Sequence, residues 1–217
     1  GFIGVVGEDS DGNYLLEDMK KEGVDTDKVV RTKAYPTGQV YIALDRQGRR
    51  MMFAFSGAAN LLSERNIDAS YIASSKFVHI ADLKNILPLE TAAKLAGEAQ
   101  TKVSLNPGEL IAVQGFEAIR KLLSNVDIFI SSQGELRRIF NTENVEFAVS
   151  KLLKSGPELV AITLGSEGCM VTDSKLSGHR IPPFNTKVVD TTGAGDAFCA
   201  GFVTALAEEK DILEAGR

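Results

Sequence analysis

From residue 77 onward the chain keeps one rhythm: a short apolar run, a polar break, then an amphipathic stretch. The runs fall at 77–80, 102–105, 126–130 and 159–164, and stretches with helical spacing lie near 88–100, 116–124, 133–140 and 144–155. Runs this short are strand-sized, and they lack the polar alternation of a strand with one wet face. Such an alternation of strands and helices predicts a parallel sheet covered on both faces. Pro88 suits the first turn of its helix, where its missing N–H costs nothing. Short runs at 169–172 and 187–189 predict two further strands.

The first third of the chain is organised differently. Residues 2–6 read as a buried strand, Gly7-Glu8-Asp9-Ser10-Asp11-Gly12 as a polar turn, and Leu15, Leu16 and Met19 as one face of a helix that Gly23 stops. Then Val40, Ile42 and Leu44 alternate with Tyr41, Ala43 and Asp45, and Met51, Phe53 and Phe55 repeat the pattern beyond a turn at Gln47-Gly48. That is a β-hairpin with one apolar and one mixed face, the mixed face carrying Tyr41 and Met52. Its place between βα units predicts a small sheet standing away from the main one, as a lid or a dimer clasp. Gly57-Ala58-Ala59-Asn60 leads back to the body.

Composition excludes several classes. A formal net charge of -5, with no offsetting basic run, argues against general nucleic-acid binding. No apolar run reaches the ~18 residues of a membrane span, so neither nucleic acid nor membrane is an expected partner. Cys169 and Cys199 both sit in apolar runs and read as small buried hydrophobes of a reducing, cytoplasmic compartment. His79 and His179 lack ligand-like spacing. The chain opens inside a strand-like run without Met and stops at Arg217, within or just after a helical pattern; the expectation is a piece truncated at both ends.

The stretch with the most chemistry is Asp190-Thr191-Thr192-Gly193-Ala194-Gly195-Asp196, followed by the apolar run Ala197-Phe198-Cys199-Ala200-Gly201-Phe202-Val203. Gly193 and Gly195 leave the backbone unobstructed just before a buried helix. The N–H groups of such a junction suit phosphate oxygens. Asp196 stands at the mouth of that pocket, where a carboxylate makes sense if it accepts a proton from an attacking hydroxyl. The alternative is a glycine turn with Asp196 capping a helix. Open α/β sheets bind ligands at the carboxyl ends of their strands, and three such ends stand out. Ile162-Thr163-Leu164-Gly165-Ser166-Glu167-Gly168 brings backbone within reach of a nucleotide, or is a tight turn. Ser131-Ser132-Gln133-Gly134-Glu135 enters a helix; Glu135 holds Mg²⁺ through water or favours the helix N-terminus by its charge. Leu105-Asn106-Pro107-Gly108 reads as a turn. The fingerprint G-x-G-x-x-G, the loop G-x-x-x-x-G-K-[ST] and the elbow G-x-S-x-G are all absent.

Together these motifs resemble the ribokinase-like, or phosphofructokinase-B, family of sugar and nucleoside kinases. Asp190 to Asp196 with Ala197-Phe198 resembles its signature, and Thr163-Leu164-Gly165-x-x-Gly168 its nucleotide loop. Phe2-Ile3-Gly4-x-x-Gly7-x-Asp9-x-x-Gly12 resembles its N-terminal signature, and Thr37-Gly38 and Gly57-Ala58-Ala59-Asn60 the borders of its lid. The resemblance implies a single α/β domain over residues 1–217: a three-layer αβα sandwich, mainly parallel, with a β-sheet lid at about 32–58. It implies an ATP-dependent carbohydrate kinase that phosphorylates a hydroxymethyl group, with Mg²⁺ and the K⁺ that many members use. Asp196 is then the base and a sugar contact, and Gly193, Ala194 and Gly195 form the anion hole. Thr163, Gly165, Gly168 and Ser132 line the nucleotide site. Glu135 serves Mg²⁺ through water, Asp190 and Thr192 the monovalent cation, and Gly38 the sugar; a homodimer through the lid is the implied assembly. Ser132 stands where the family usually has Asn. Leu110 stands where members acting on acidic sugars or fructose often carry Arg, which weighs against a 2-keto-3-deoxygluconate or fructose assignment. The alternatives are a purine nucleoside kinase of the same family and a non-catalytic sugar or nucleotide sensor on the same fold. A dinucleotide-dependent oxidoreductase is disfavoured by the missing fingerprint.

Overall fold

A computed structural model of the chain describes residues 1–46, 50–173 and 178–217, with the side chain of Arg50 left aside. They form two compact units, Gly1–Asp68 and Ala69–Arg217.

In the first unit β1 (Ile3–Gly7) leads into α1 (Ser10–Lys21), and β2 (Lys28–Thr32) pairs with β1 in parallel. Sequence reading missed β2, whose Val29-Val30 core is too short to show a period. The Asp9 carboxylate caps α1 by accepting the Gly12 N–H, and it also accepts the Thr37 hydroxyl and the Thr37 N–H, at 2.7–2.8 Å. The Thr37 hydroxyl oxygen in turn accepts the Gly7 N–H at 2.9 Å. The N-terminal signature and Thr37 therefore form one network. Those donors, the Thr37 hydroxyl first, hold the Asp9 carboxyl below its ordinary value.

The hairpin is β3 (Gln39–Leu44) and β4 (Arg50–Phe55), an antiparallel sheet of its own, as expected. The turn expected at Gln47-Gly48 lies outside the described residues. One detail is corrected. Tyr41 pairs with Phe53, and Ile42 pairs with Met52; directly paired residues share a face, so Tyr41 and Met52 lie on opposite faces. The register depends on the connecting turn, and a slip of one residue exchanges the faces.

The second unit carries α2 (Ala69–Ala73), β5 (Phe77–Ile80), α3 (Leu87–Glu98), β6 (Lys102–Leu105), α4 (Gly108–Ala112), α5 (Phe116–Leu123), β7 (Ile128–Ser132), α6 (Gln133–Phe140), α7 (Val145–Leu153), β8 (Leu159–Thr163), β9 (Cys169–Asp173), β10 (His179–Ile181), α8 (Ala194–Ala207) and α9 (Ile212–Ala215). Its sheet has the order β10-β9-β8-β7-β6-β5. The pairs from β5 to β8 are parallel, whereas β8–β9 and β9–β10 are antiparallel. Parallel strands added one after another by right-handed crossovers keep their connecting helices on one face. Thus α3 packs on β5 and β6, α6 on β7 and α7 on β8. The opposite face belongs to α8 and α9, where Cys199, Phe202 and Ala215 pack with Ile128, Ile130, Ala161 and Val171. These three layers are the expected αβα sandwich.

Two expectations for this unit fail locally. Residues 187–189 are not a strand, and Val188 and Val189 are 67% and 90% exposed. The edge strand is β10, eight residues earlier in the chain, and Pro182-Pro183 end its ladder by removing two successive N–H donors. The turn after Leu105 continues into α4, whose first N–H groups find an acceptor outside the helix, described below.

Candidate active site

A cavity of about 380 Å³ opens at the carboxyl ends of the parallel strands. Ala81 and Asp82 follow β5 into it, Asn106 and Gly108 follow β6, Ile130, Ser131 and Ser132 close β7, and Thr163 closes β8. Glu135 enters from α6, and Gly193, Gly195, Asp196 and Cys199 from the start of α8. Of the residues singled out from the sequence, Asp196, Gly193, Gly195, Ser132, Glu135 and Thr163 thus meet in one place.

The start of α8 explains its glycines. Gly193 has φ +77°, left-handed backbone that a side chain would strain, and it turns the chain into the helix. A Cβ built on Gly195 meets nothing within 4 Å, so the approach to the first turn stays open. Ala194, Gly195 and Asp196 form that turn; the Ala194 N–H donates to the Thr191 carbonyl at 3.2 Å, and the Gly195 and Asp196 N–H groups have no intrahelical partner. Thr192 donates both its N–H and its hydroxyl to Asp190 Oδ1 at 2.8 Å, making a tight turn just ahead of Gly193. Asp196 is exposed, and one turn further on Cys199 is buried. Burial first, then the Asp196 and Glu135 carboxylates, push the Cys199 thiol up to about 11. The thiol is therefore protonated at neutral pH and is not a nucleophile.

Ser132 and Glu135 form a capping box on α6. Glu135 Oε2 accepts the Ser132 N–H at 2.7 Å, and Ser132 Oγ accepts the Glu135 N–H at 3.2 Å. The helix-end role weighed for Glu135 is thus present, and its carboxylate also borders the cavity. Gly165 and Gly168 flank a single 3-10 turn and are not among the lining residues. Gly168 has φ +86°, and a Cβ there would stand 2.1 Å from the Ile181 carbonyl oxygen, so packing alone requires glycine. Asp190, Thr192 and Ala194 border the lining without belonging to it, and Gly38 belongs to the first unit, where a Cβ would stand 2.9 Å from the Ser56 carbonyl oxygen.

Two residues of the second unit, Asp82 and His79, escaped sequence reading as site residues, and Asn106 was read only as part of a turn. Asp82 accepts the Leu110 and Ile111 N–H groups at 3.0 Å and so caps α4. Burial raises its carboxyl, and those N–H bonds partly offset the rise. A Cβ on Gly108 would stand 2.5 Å from the Asp82 side chain, which is why glycine follows Pro107. Asn106 donates its side-chain amide to the Ile130 carbonyl at 3.0 Å, tying the ends of β6 and β7 together. His79 shares Nδ1 with the Ser104 hydroxyl at 2.9 Å. The available signal was position: each lies on a parallel strand or just past its end.

A helix N-terminus at the strand ends of an αβα sandwich is a place where phosphate groups can bind. The model of the pfkB family of carbohydrate kinases matches residues 1–217. An "uncharacterized sugar kinase" of Archaeoglobus fulgidus is 36% identical over all of this chain and 86% of its own length. A ribokinase of Haemophilus influenzae is 32% identical over all of this chain and 71% of its own. Among solved structures, a Thermotoga maritima ribokinase superposes with a TM-score of 0.84 at 28% identity, over 99% of this chain and 70% of its own. An Arabidopsis thaliana ribokinase, solved with ribose and ATP, gives 0.83 at 28% identity, over 99% of this chain and 71% of its own. The chain belongs to the pfkB family of carbohydrate kinases, and it is a sugar kinase. Among the described residues no helix is long and apolar enough to cross a membrane.

Proposed function

We propose that the chain transfers the γ-phosphate of ATP to the hydroxymethyl group of a sugar, as one ribokinase-like unit with a hairpin lid. The observation that carries this reading is the convergence of Asp196, the open first turn of α8, Glu135 and Thr163 on one cavity. An alcohol is a weak nucleophile until its proton has somewhere to go. Asp196, exposed at the cavity, accepts that proton as the oxygen bonds to phosphorus. The N–H groups of Gly193, Gly195 and Asp196 meet the charge gathering on the phosphoryl oxygens, joined by that of Ala194 when it leaves the Thr191 carbonyl. Thr163, Ser132, Gly165 and Gly168 serve the nucleotide. Asp82, a half-buried carboxylate, offers an acceptor to sugar hydroxyls, and Gly38 a backbone contact.

No cluster of three or more acidic, His or Cys side chains among the described residues could hold a metal alone. Mg²⁺ keeps several waters and binds through one or two carboxylates and the substrate phosphates. Glu135 is the carboxylate that would hold it through water. Bound there, Mg²⁺ supplies charge neutralisation on the phosphates. Asp190 and Thr192 would serve K⁺.

We also propose a homodimer through the hairpin. Val40, Ile42, Leu44 and Met52 on one face are 44–70% exposed, an aliphatic surface suited to a second copy. The other face carries Met51, Phe53 and Phe55, also exposed, with Gln39 and Tyr41, whose hydroxyl donates to the Gln39 side chain.

The test is ADP release from ATP and Mg²⁺ with D-ribose, D-fructose, other free-hydroxymethyl sugars and adenosine. Turnover with a sugar is the expected result. Turnover with adenosine alone makes this a nucleoside kinase, and binding without turnover makes it a sensor.

A further inference from the structure

The molecule has two histidines, and one of them occupies an unexpected place. His79 lies on β5, in register with Ser104 of β6, which is itself in register with Ile128 of β7. Directly paired residues share a sheet face, and alternate residues of one strand do too. Phe77, His79, Ser104 and Ile128 therefore look toward one layer. That layer is α8: Phe77 and Ile128 both pack in the cluster that contains Cys199 and Phe202. Asp196 lies one turn before Cys199 on the same helix, so its side chain stands on the same side.

His79 is held rather than loose. Its Nδ1 is 2.9 Å from the Ser104 hydroxyl, and Ser104 is fully buried. One ring nitrogen is thus committed to the sheet, leaving Nε2 as the only polar atom the ring can offer to α8. The tautomer that satisfies both ends has the Ser104 O–H donating to Nδ1 and the proton on Nε2.

We propose that His79 is a positioning residue for Asp196, a neutral imidazole fixed by Ser104 that orients the carboxylate as it takes the sugar proton. The role rests on Asp196 being the base. A neutral N–H donor steadies one carboxylate oxygen and leaves the other free to accept a proton. An imidazolium would instead compete for that charge. The charged group that acts on the ring is Asp196 of α8; Cys199 of α8, Asp82 beyond the end of β5 and Glu135 of α6 line the cavity that Asp196 borders. Burial, the larger effect, lowers the His79 pKa, and the Asp196 charge opposes it. The neutral imidazole is therefore the form favoured at pH 7.

The test has two arms. The first needs no substrate: the His79 Cε1–H signal, assigned by its loss in His79→Gln, is titrated by NMR in wild type and in Asp196→Asn. Removing the negative charge is expected to move the midpoint down; an unmoved midpoint overturns the proposal. The second is the pH profile of kcat with the best sugar of the panel above. His79→Gln is expected to lower kcat about 10- to 100-fold, leave the sugar KM unchanged and remove the part of the acid-side fall that imidazole protonation contributes, leaving the fall at lower pH that belongs to the base itself. Wild-type kcat at every pH in a folded His79→Gln overturns the proposal, even when Asp196→Asn is inactive and the base assignment stands. Full turnover in Asp196→Asn, or none from wild type with any sugar, overturns the kinase mechanism and this role with it.

Discussion

Asp196 stands third in the first turn of α8, a position where an acid can serve either a helix or a reaction. Substitution separates the two. Asp196→Asn keeps shape and hydrogen bonding but removes the proton acceptor. If the residue is the base, kcat falls about 10²–10⁴-fold, while melting temperature holds and ATP affinity stays level or tightens slightly. Retained turnover would end the mechanism proposed above. Glu135 allows a similar separation, because Gln closes a capping box as Glu does. Glu135→Gln is expected to fold normally and to need more Mg²⁺ for half-maximal turnover. Glu135→Ala also loses the cap, costing about 0.5–1.5 kcal/mol in denaturant unfolding. An unchanged Mg²⁺ titration in Glu135→Gln would leave Glu135 with a helix-end role only.

At the scale of the element, helix ends do most of the positioning. Asp9 caps α1, Ser132 and Glu135 cap α6, Asp82 caps α4, and Gly193 turns the chain into α8. The first of these carries a pH signature. The folded Asp9 carboxyl titrates below the ordinary value of 3.8, so its contribution is complete above that value and is lost as pH falls through the folded one. The melting-temperature advantage of wild type over Asp9→Asn should hold from neutral pH down to about pH 4 and shrink below it. A constant difference across that range would show that the Asp9 charge adds nothing. The caps also explain what was legible locally. The box Ser132-x-x-Glu135 and the glycines ahead of α8 are sequence-adjacent signals. Asp82, by contrast, reaches N–H groups 28 and 29 residues away, and no local pattern announces such a partner.

For the whole molecule, the aliphatic face of the hairpin gives the most direct assembly test. Ile42→Glu should convert a sedimenting dimer of 23.3 kDa chains to monomer with the second unit still folded. Dimers that persist in Ile42→Glu would rule out this face as the clasp. The sequence by itself determined the layered α/β class, the separate hairpin and the loop before α8. Those features follow from short-range rules: periodicity, turn chemistry and the freedom of glycine, all written within about a dozen residues. Tertiary structure alone decided the hairpin register, the antiparallel edge at β10 and the company of Asp196. A strand end at Asp82, another at Asn106 and His79 with Ser104 are brought to α8 by a sheet whose order links residues more than a hundred positions apart. Each of those contacts exists because parallel crossovers place successive strand ends side by side. Nothing in the composition of a single strand records which neighbour it will receive.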